Sequence, residues 1–169
     1  MVDLRGFGYS GAPRGCATIP KLMNDVIRLL REVREDLPLF MYAHSLGGLT
    51  VIKLLLDRPG INISGCIITS PLLGFPKDRR FPWLKIQLLR LIGDDMEDFV
   101  INSMVNPTAL TKNSKYISTI MEDRLMIPFL SIKMGKSIID AVEDVQKKKK
   151  EFRFPILIFH GKADTITNH

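Results

Sequence analysis

The chain has few cysteines and no long apolar run. Cys16 and Cys66 are the only cysteines among 169 residues, and neither lies in a C-x-x-C pair. This pattern indicates neither a disulfide framework nor a zinc site, so we expect two reduced thiols in an intracellular protein. No stretch approaches eighteen consecutive apolar residues, which is about the length that a membrane-spanning helix needs. We therefore predict no transmembrane segment.

Targeting and nucleic-acid signals are also absent from the sequence. Residues 1–6 contain no basic region followed by an apolar one, so no secretory signal is predicted. We expect a cytoplasmic protein, with membrane association as an alternative. The net charge of +6 comes partly from the run Lys147-Lys148-Lys149-Lys150. Such a run is usually a solvated face, although it could also contact anionic lipid headgroups. No nucleic-acid motif accompanies it, so nucleic acid is not a predicted partner.

Helical and extended segments alternate along the chain, which predicts a parallel sheet covered by helices. The predicted elements are a helix over 21–36, a strand over 39–43, a helix over 46–57 and strands over 65–69 and 154–159. Far more residues separate the last two strands than a crossover requires. We therefore predict a single domain over residues 1–169 with a cap insertion at about 72–127.

Residues 81–92, inside this insertion, are apolar around most of a helical circumference. Two interpretations of such a helix are open. It could be buried against the rest of the protein, or it could form a lid whose apolar residues line an entrance for an acyl chain.

The strongest chemical signal is Ser45, which lies between a predicted strand and a predicted helix within the segment Ala43 to Gly48. A nucleophilic serine of the strand–turn–helix type needs this context, because its hydroxyl must stand on a sharp turn with the next N–H exposed. Small residues two positions before and after it allow close packing, and Ala43 is small enough although glycine is more usual there. The alternative is a serine that caps a helix.

A serine hydroxyl needs a base to take its proton and an acid to orient that base. Asp164 is the candidate acid, because it follows the last predicted strand at the carboxyl edge of the sheet, where such sites gather. The alternative is an ordinary turn aspartate.

Three segments together resemble landmarks of the monoacylglycerol lipase and lysophospholipase group of the serine aminopeptidase S33 family. Asp3 to Ser10 resembles the motif D-x-R-G-x-G-x-S, His44 to Gly48 resembles H-S-M-G-G, and His160 to Asp164 follows in the same order. The resemblance covers nearly the whole chain. It implies an α/β-hydrolase fold, with a parallel sheet, flanking helices and a helical cap insertion.

The same resemblance implies a serine hydrolase of carboxylic esters, with a monoacylglycerol or a lysophospholipid as its small-molecule substrate. Ser45 would be the nucleophile, the N–H of Leu46 would bind the oxyanion, and Asp164 would orient a histidine. No metal or organic cofactor is required. Peripheral membrane contact is a further expectation.

The resemblance also places two parts of the family pattern outside this sequence. They are an H-G loop before Asp3, which supplies a second oxyanion donor, and a catalytic histidine well after Asp164. We therefore expect an α/β-hydrolase that is truncated at both ends. His44, His160 and His169 are minor candidates for the base. The alternative function is a catalytically inactive fragment or pseudoenzyme that serves as a lipid-binding or interaction module.

Overall fold

The computed structural model describes residues 1–33, 36–75, 83–93, 96, 99–103 and 105–168. The helices are α1 Ile19–Arg31, α2 Leu46–Asp57, α3 Trp83–Ile92, α4 Ser114–Glu122 and α5 Ile132–Lys148. The strands are β1 Phe40–His44, β2 Gly65–Thr69, β3 Val100–Asn102, β4 Phe129–Ser131 and β5 Ile156–Phe159. Two compact units form, one from residues 1–18 and 77–138 and the other from 19–76 and 139–169. Among the described residues, no helix is long and apolar enough to cross a membrane.

The second unit contains a parallel three-stranded sheet in the order β1-β2-β5. The predicted parallel sheet is thus confirmed, and α2 and β2 have the predicted bounds. The predicted helix over 21–36 is wrong at both ends. It begins at Ile19, before a proline that suits the first turn of a helix. It ends at Arg31, because the N–H groups of Glu32 and Val33 bond carbonyls three residues back and tighten the last turn.

The two remaining strands differ slightly from their predicted bounds. β1 runs from Phe40 to His44 rather than over 39–43, and β5 begins at Ile156 rather than at residue 154. Pro155 precedes β5, and its carbonyl accepts a hydrogen bond from the Cys66 N–H at 2.9 Å. Proline has no N–H to contribute to a sheet, so the regular strand starts after it.

Helices cover one face of this sheet over β1 and β2, whereas Ile156 and Ile158 of β5 lie on the same face and are 37% and 45% exposed. Crossovers between parallel strands are right-handed, so α2 and α5 are placed on the same side. α2 contacts β1 and α1, and its Lys53 pairs with Asp144 of α5 at 3.0 Å. Ala43, Cys66 and Ile68 of the strands are buried, which places the apolar core of this unit on the helical side of the sheet.

The other face of the sheet carries exposed apolar side chains. We call it the open sheet face and define it by Phe40, Tyr42, Ile67, Leu157 and Phe159, which the strand register places side by side. Phe40 is 62% exposed and Tyr42 is 69% exposed. Parallel sheets normally have both faces covered. In the described part of the chain, β1 and β5 are also the edges of the sheet.

The first unit contains the segment of residues 3–10 as a loop that is held by hydrogen bonds within it and to the residues that follow it. The Asp3 carboxylate accepts a hydrogen bond from the Tyr9 N–H at 2.9 Å, and its carbonyl accepts one from the Ser10 hydroxyl at 2.6 Å. Gly8 has a positive φ of 50°, and a Cβ there would lie 2.2 Å from Asp3 Cγ. The aspartate and this glycine are therefore explained by the geometry of the loop itself.

The predicted cap insertion over about 72–127 stays a prediction. The described part of that range contains α3, the short strand β3 and α4. The helix expected over 81–92 is observed as Trp83–Ile92, while its first two predicted residues lie outside the described residues. The choice between a buried helix and a lid also stays open, although Leu91 near its end is 80% exposed.

Candidate active site

Ser45 occupies the turn that joins β1 to α2, as predicted. Its backbone has φ 51° and ψ −117°, a region that residues with a Cβ rarely adopt. The Ser45 N–H donates to the carbonyl of Thr69 at 3.0 Å, and the Ser45 carbonyl accepts from the Leu49 N–H at 3.1 Å. The side chain makes no capping hydrogen bond to α2. The alternative in which Ser45 is simply a capping serine is therefore not supported.

Two glycines allow α2 to start immediately after this turn. A Cβ at Gly47 would lie 3.8 Å from the Ala43 Cβ, which is ordinary contact. A Cβ at Gly48 would lie 2.7 Å from Ile68 Cγ2, which is too close. The predicted need for small residues is thus met at Ala43 and Gly47, and the tightest approach is at Gly48.

Leu46 is the first residue of α2. The N–H groups of the first helical turn have no intrahelical acceptor, and they lie at the positive end of the helix dipole. The Leu46 N–H is therefore suited to bind an oxyanion that forms on a carbonyl attacked by Ser45.

Asp164 lies in the loop after β5, in a tight turn that its own side chain holds by hydrogen bonds. Its Oδ1 accepts hydrogen bonds from the N–H groups of Ile166 at 2.8 Å and Thr167 at 3.0 Å. Its Oδ2 accepts the Thr167 hydroxyl at 2.9 Å and lies 3.3 Å from His160 Nε2. These bonds hold the carboxylate in place, and they fit both a catalytic acid and an ordinary turn aspartate.

The pKa of Asp164 reflects this balance. Burial acts to raise the pKa, but the hydrogen bonds from Thr167 and Ile166 and the nearby His160 outweigh it, so the pKa lies below the usual value of an aspartate. The carboxylate is therefore ionised at neutral pH, which is the state that could orient a protonated histidine. Sequence reasoning missed Thr167, which is 2% exposed; a hydroxyl residue three positions after an aspartate is the available signal.

The histidines considered as bases have other partners. His44 Nδ1 lies 2.9 Å from the Thr69 hydroxyl on the exposed side of the strand. His160 is half-buried, and its Nε2 lies 3.0 Å from the Thr167 hydroxyl. His169 lies outside the described residues. Within the described ranges, no histidine forms a hydrogen bond with the Ser45 hydroxyl.

Among the residues that the structure describes, no group of three His, Cys, Asp or Glu side chains could hold a metal ion. A cleft of about 610 Å³ lies in the second unit and is lined by Leu30, Leu37 and Ile63 among others. Its lining includes Leu39 and Ser64, just before β1 and β2, which places it at the amino edge of the sheet. Ser45 lies at the carboxyl edge, so the cleft is separate from the candidate site.

Comparison with known proteins gives consistent results. A family model described as serine aminopeptidase, S33, matches residues 1–169. A putative monoglyceride lipase of Schizosaccharomyces pombe is 27% identical over 98% of this chain and 46% of its own length. The phospholipase YtpA of Bacillus subtilis is 24% identical, over 99% of this chain and 65% of its own length. The chain thus spans about half to two thirds of these relatives.

A solved structure shows a similar fold. The crystal structure of a monoacylglycerol lipase from Paleococcus ferrophilus is 29% identical and superposes with a TM-score of 0.86. The alignment covers 98% of this chain and 62% of that protein. The arrangement of strands and helices around Ser45 is therefore part of a fold already seen in crystals.

Proposed function

The chain belongs to the serine aminopeptidase S33 family of hydrolases, and from this premise we propose that its protein is a serine hydrolase that cleaves carboxylic esters of lipids. Family membership and the structural likeness confirm the predicted resemblance and the α/β-hydrolase fold. The observation that carries the proposal is the left-handed backbone of Ser45 between β1 and α2. That conformation costs energy. It places the serine immediately before a helix whose first N–H can bind an oxyanion.

The proposed reaction is acyl transfer through Ser45. Its hydroxyl oxygen attacks the ester carbonyl carbon while a histidine accepts the proton. The Leu46 N–H stabilises the negative charge that develops on the carbonyl oxygen. The alcohol then leaves with a proton from the histidine, and water hydrolyses the acyl-enzyme. Asp164, ionised and held by its turn, orients the histidine.

The base is assigned by the family resemblance rather than by the described geometry. His44 and His160 bond Thr69 and Thr167, respectively. The family pattern instead assigns the base to a histidine later in the complete protein than Asp164. In this account, Ser45, Leu46 and Asp164 form the part of the catalytic centre that this sequence contributes.

A lipid ester is the proposed substrate class, with a monoacylglycerol or a lysophospholipid as the specific candidates. Relatives named as a monoglyceride lipase and a phospholipase support this choice. The apolar sequence of residues 83–92 fits a lid that lines an acyl-chain entrance, and this is the interpretation that the proposal adopts. No cofactor is part of the proposal.

Membrane contact through the lysine run receives no support from the geometry. Lys147–Lys150 lie where α5 ends, before β5 begins, and thus at the amino edge of the sheet. Ser45 lies at the carboxyl edge. Lys148 already pairs with Asp144 at 3.0 Å. A bilayer bound by this run would face away from Ser45, so we propose that the run is a solvated face, while peripheral membrane contact through another surface stays a prediction.

An inactive lipid-binding module is the second candidate function. Among the described residues, His44 and His160 bond threonines rather than the Ser45 hydroxyl, so this candidate applies if the complete protein supplies no further histidine at the site. This candidate predicts lipid binding without turnover. The active-enzyme proposal predicts turnover that depends on Ser45.

The proposal is tested by ester hydrolysis with protein expressed from the complete native transcript. The substrates are a long-chain monoacylglycerol, a lysophospholipid, a short-chain ester and a peptide with a free amino terminus. We expect turnover of the lipid esters and a loss of about 10⁴-fold or more in the Ser45→Ala variant. Hydrolysis of the short-chain ester alone, or of the peptide, would overturn the lipid assignment. Turnover that survives Ser45→Ala would overturn the nucleophile.

A further inference from the structure

Two strained serines follow neighbouring strands at the carboxyl edge of the sheet. Among the described residues, the non-glycine residues with positive φ are Ala12, Ser45 and Ser70. Ser45 follows β1, whereas Ser70 follows β2 with φ 41°. A residue with a Cβ keeps such a conformation only where its surroundings hold it there. The surroundings of Ser70 must therefore hold its backbone in this conformation.

The segment Thr69–Leu72 binds the main chain of Ser45 from both ends. The Ser45 N–H donates to the Thr69 carbonyl at 3.0 Å, and the Leu72 N–H donates to the Ser45 carbonyl at 3.1 Å. Thr69 and Leu72, three residues apart, therefore both contact the main chain of Ser45. Such a return needs a sharp reversal, and the positive φ of Ser70 lies within it.

This segment is itself held by two neighbouring elements. The Ser70 N–H donates to the carbonyl of Phe159 at the end of β5, at 2.8 Å. Pro71 is fully buried, and a Cβ placed at Gly48 of α2 would lie 3.1 Å from its Cβ. A proline also restricts the backbone of the residue before it. The bond to Phe159 and the buried Pro71 therefore restrict the positions that residues 69–72 can adopt.

We propose that Ser70 is a positioning residue for Ser45. Its left-handed backbone folds Thr69–Leu72 around the Ser45 main chain, and the two resulting hydrogen bonds hold Ser45 in its own strained conformation. The Ser45 carbonyl also accepts a bond from the Leu49 N–H of α2. The Ser45 N–H, by contrast, donates to the Thr69 carbonyl. This inference rests on the proposed function, in which Ser45 is the nucleophile.

The test compares three substitutions. Ser70→Gly retains the positive φ without a steric penalty, whereas Ser70→Val places a β-branched side chain where it is most disfavoured. Ala12→Val is the matched control, because Ala12 also has a positive φ of 84° but lies in the first unit. Amide hydrogen exchange of the 169-residue chain, followed by NMR, reports on the Ser45 and Leu72 N–H groups directly.

We expect Ser70→Val to speed exchange at the Ser45 and Leu72 amides by about tenfold or more, with the amides of α1 unchanged. Ser70→Gly should match the wild type, and Ala12→Val should leave both amides protected. Equal acceleration at all amides, or none at these two, would overturn the proposal. If Ser70→Val does not fold, Ser70→Thr, which is also β-branched but retains the hydroxyl, should speed exchange at the same two amides.

Kinetics of the complete protein separate this inference from the proposed function. Ser70→Val should lower kcat for the ester by about tenfold or more with little change in KM, because positioning of the nucleophile affects the chemical step. A rise in KM with kcat unchanged would contradict a positioning role. Absence of ester turnover in the wild type would refute the proposed function, while the exchange result would still decide the role of Ser70 in holding the turn.

Discussion

At the residue scale, the two glycines after Ser45 have different steric surroundings. Gly48→Ala would place a Cβ 2.7 Å from Ile68 Cγ2 and 3.1 Å from Pro71 Cβ. We expect it to lower the free energy of unfolding by about 1–3 kcal/mol, the usual cost of overpacking a core. Gly47→Ala is the matched control, because its nearest contact is ordinary; alanine favours helices, so it should be neutral or stabilising by up to about 1 kcal/mol.

Urea unfolding of the two variants checks this prediction. The midpoint should fall for Gly48→Ala and should hold or rise for Gly47→Ala, with similar slopes. Equal midpoints for the two variants would show that α2 does not approach β2 and Pro71 as closely as described.

Asp164 should make stability depend on pH. Its pKa is lower in the folded protein than the value of about 3.9 for an unfolded chain. The ionised carboxylate therefore stabilises the native state above pH about 4, and this stabilisation is lost as the pH falls through the lower folded pKa. Compared with wild type, the Asp164→Asn variant should lose less stability below pH about 4. Unfolding curves measured between about pH 3 and pH 7 test this, and parallel pH profiles for the two proteins would contradict it.

The candidate site residues that the sequence predicts are those with local signals. Ser45 and Leu46 lie at a strand-to-helix switch that hydrophobic periodicity makes visible, and Asp164 follows a recognisable strand. Ser70 was missed because its strained backbone depends on the bond from its N–H to the Phe159 carbonyl and on the bonds that its neighbours Thr69 and Leu72 make to Ser45, and both partners are distant in sequence. No local pattern reports such bonds.

At the element scale, the loop Asp3–Ser10 should depend on one of its glycines. Gly8→Ala would bring a Cβ to 2.2 Å from Asp3 Cγ and would require a positive φ, so the loop should open. Gly11→Ala is the control, because nothing lies within 4 Å of a Cβ at that position. Limited proteolysis should cut Gly8→Ala within residues 1–16 several times faster than Gly11→Ala or the wild type. Equal cleavage rates would show that Asp3 does not hold the loop.

Prediction of elements succeeded where their ends carry local signals. α2 ends just before Pro59 and Gly60, which stop a helix, and its bounds were predicted correctly. The end of α1 was placed too late, because the apolar period continues through Val33 while the hydrogen bonds already tighten at Glu32. Hydrophobic periodicity predicts which residues would face a core, but it does not predict the residue at which the helix ends.

At the scale of the whole molecule, the open sheet face should make the 169-residue chain self-associate. Leu157 is 51% exposed on that face, and exposed apolar patches of this kind favour association. We expect Leu157→Lys to reduce association and to weaken binding of an apolar dye. Met121→Lys is the control, because Met121 is 65% exposed on α4 in the other unit. Light scattering checks this, and a monomeric wild type that binds no dye would contradict it.

The fold class was predictable from the sequence because alternating elements and three motifs occur in one order. The open sheet face was less predictable, because the apolar runs of β1 and β5 indicate strands that are buried on both faces. Periodicity predicts that a strand has apolar faces, whereas it takes the placement of α1, α2 and α5 to show which face is covered.

The central claim, that Ser45 is an activated nucleophile, is tested most directly by a fluorophosphonate probe, which reacts covalently with activated serines. The complete native protein is labelled, digested and mapped by mass spectrometry, with Ser45→Ala in parallel. We expect one modified peptide containing Ser45 and no labelling in the variant. Labelling that persists in Ser45→Ala would contradict the nucleophile, and a complete protein that is folded but never labelled would favour the inactive module.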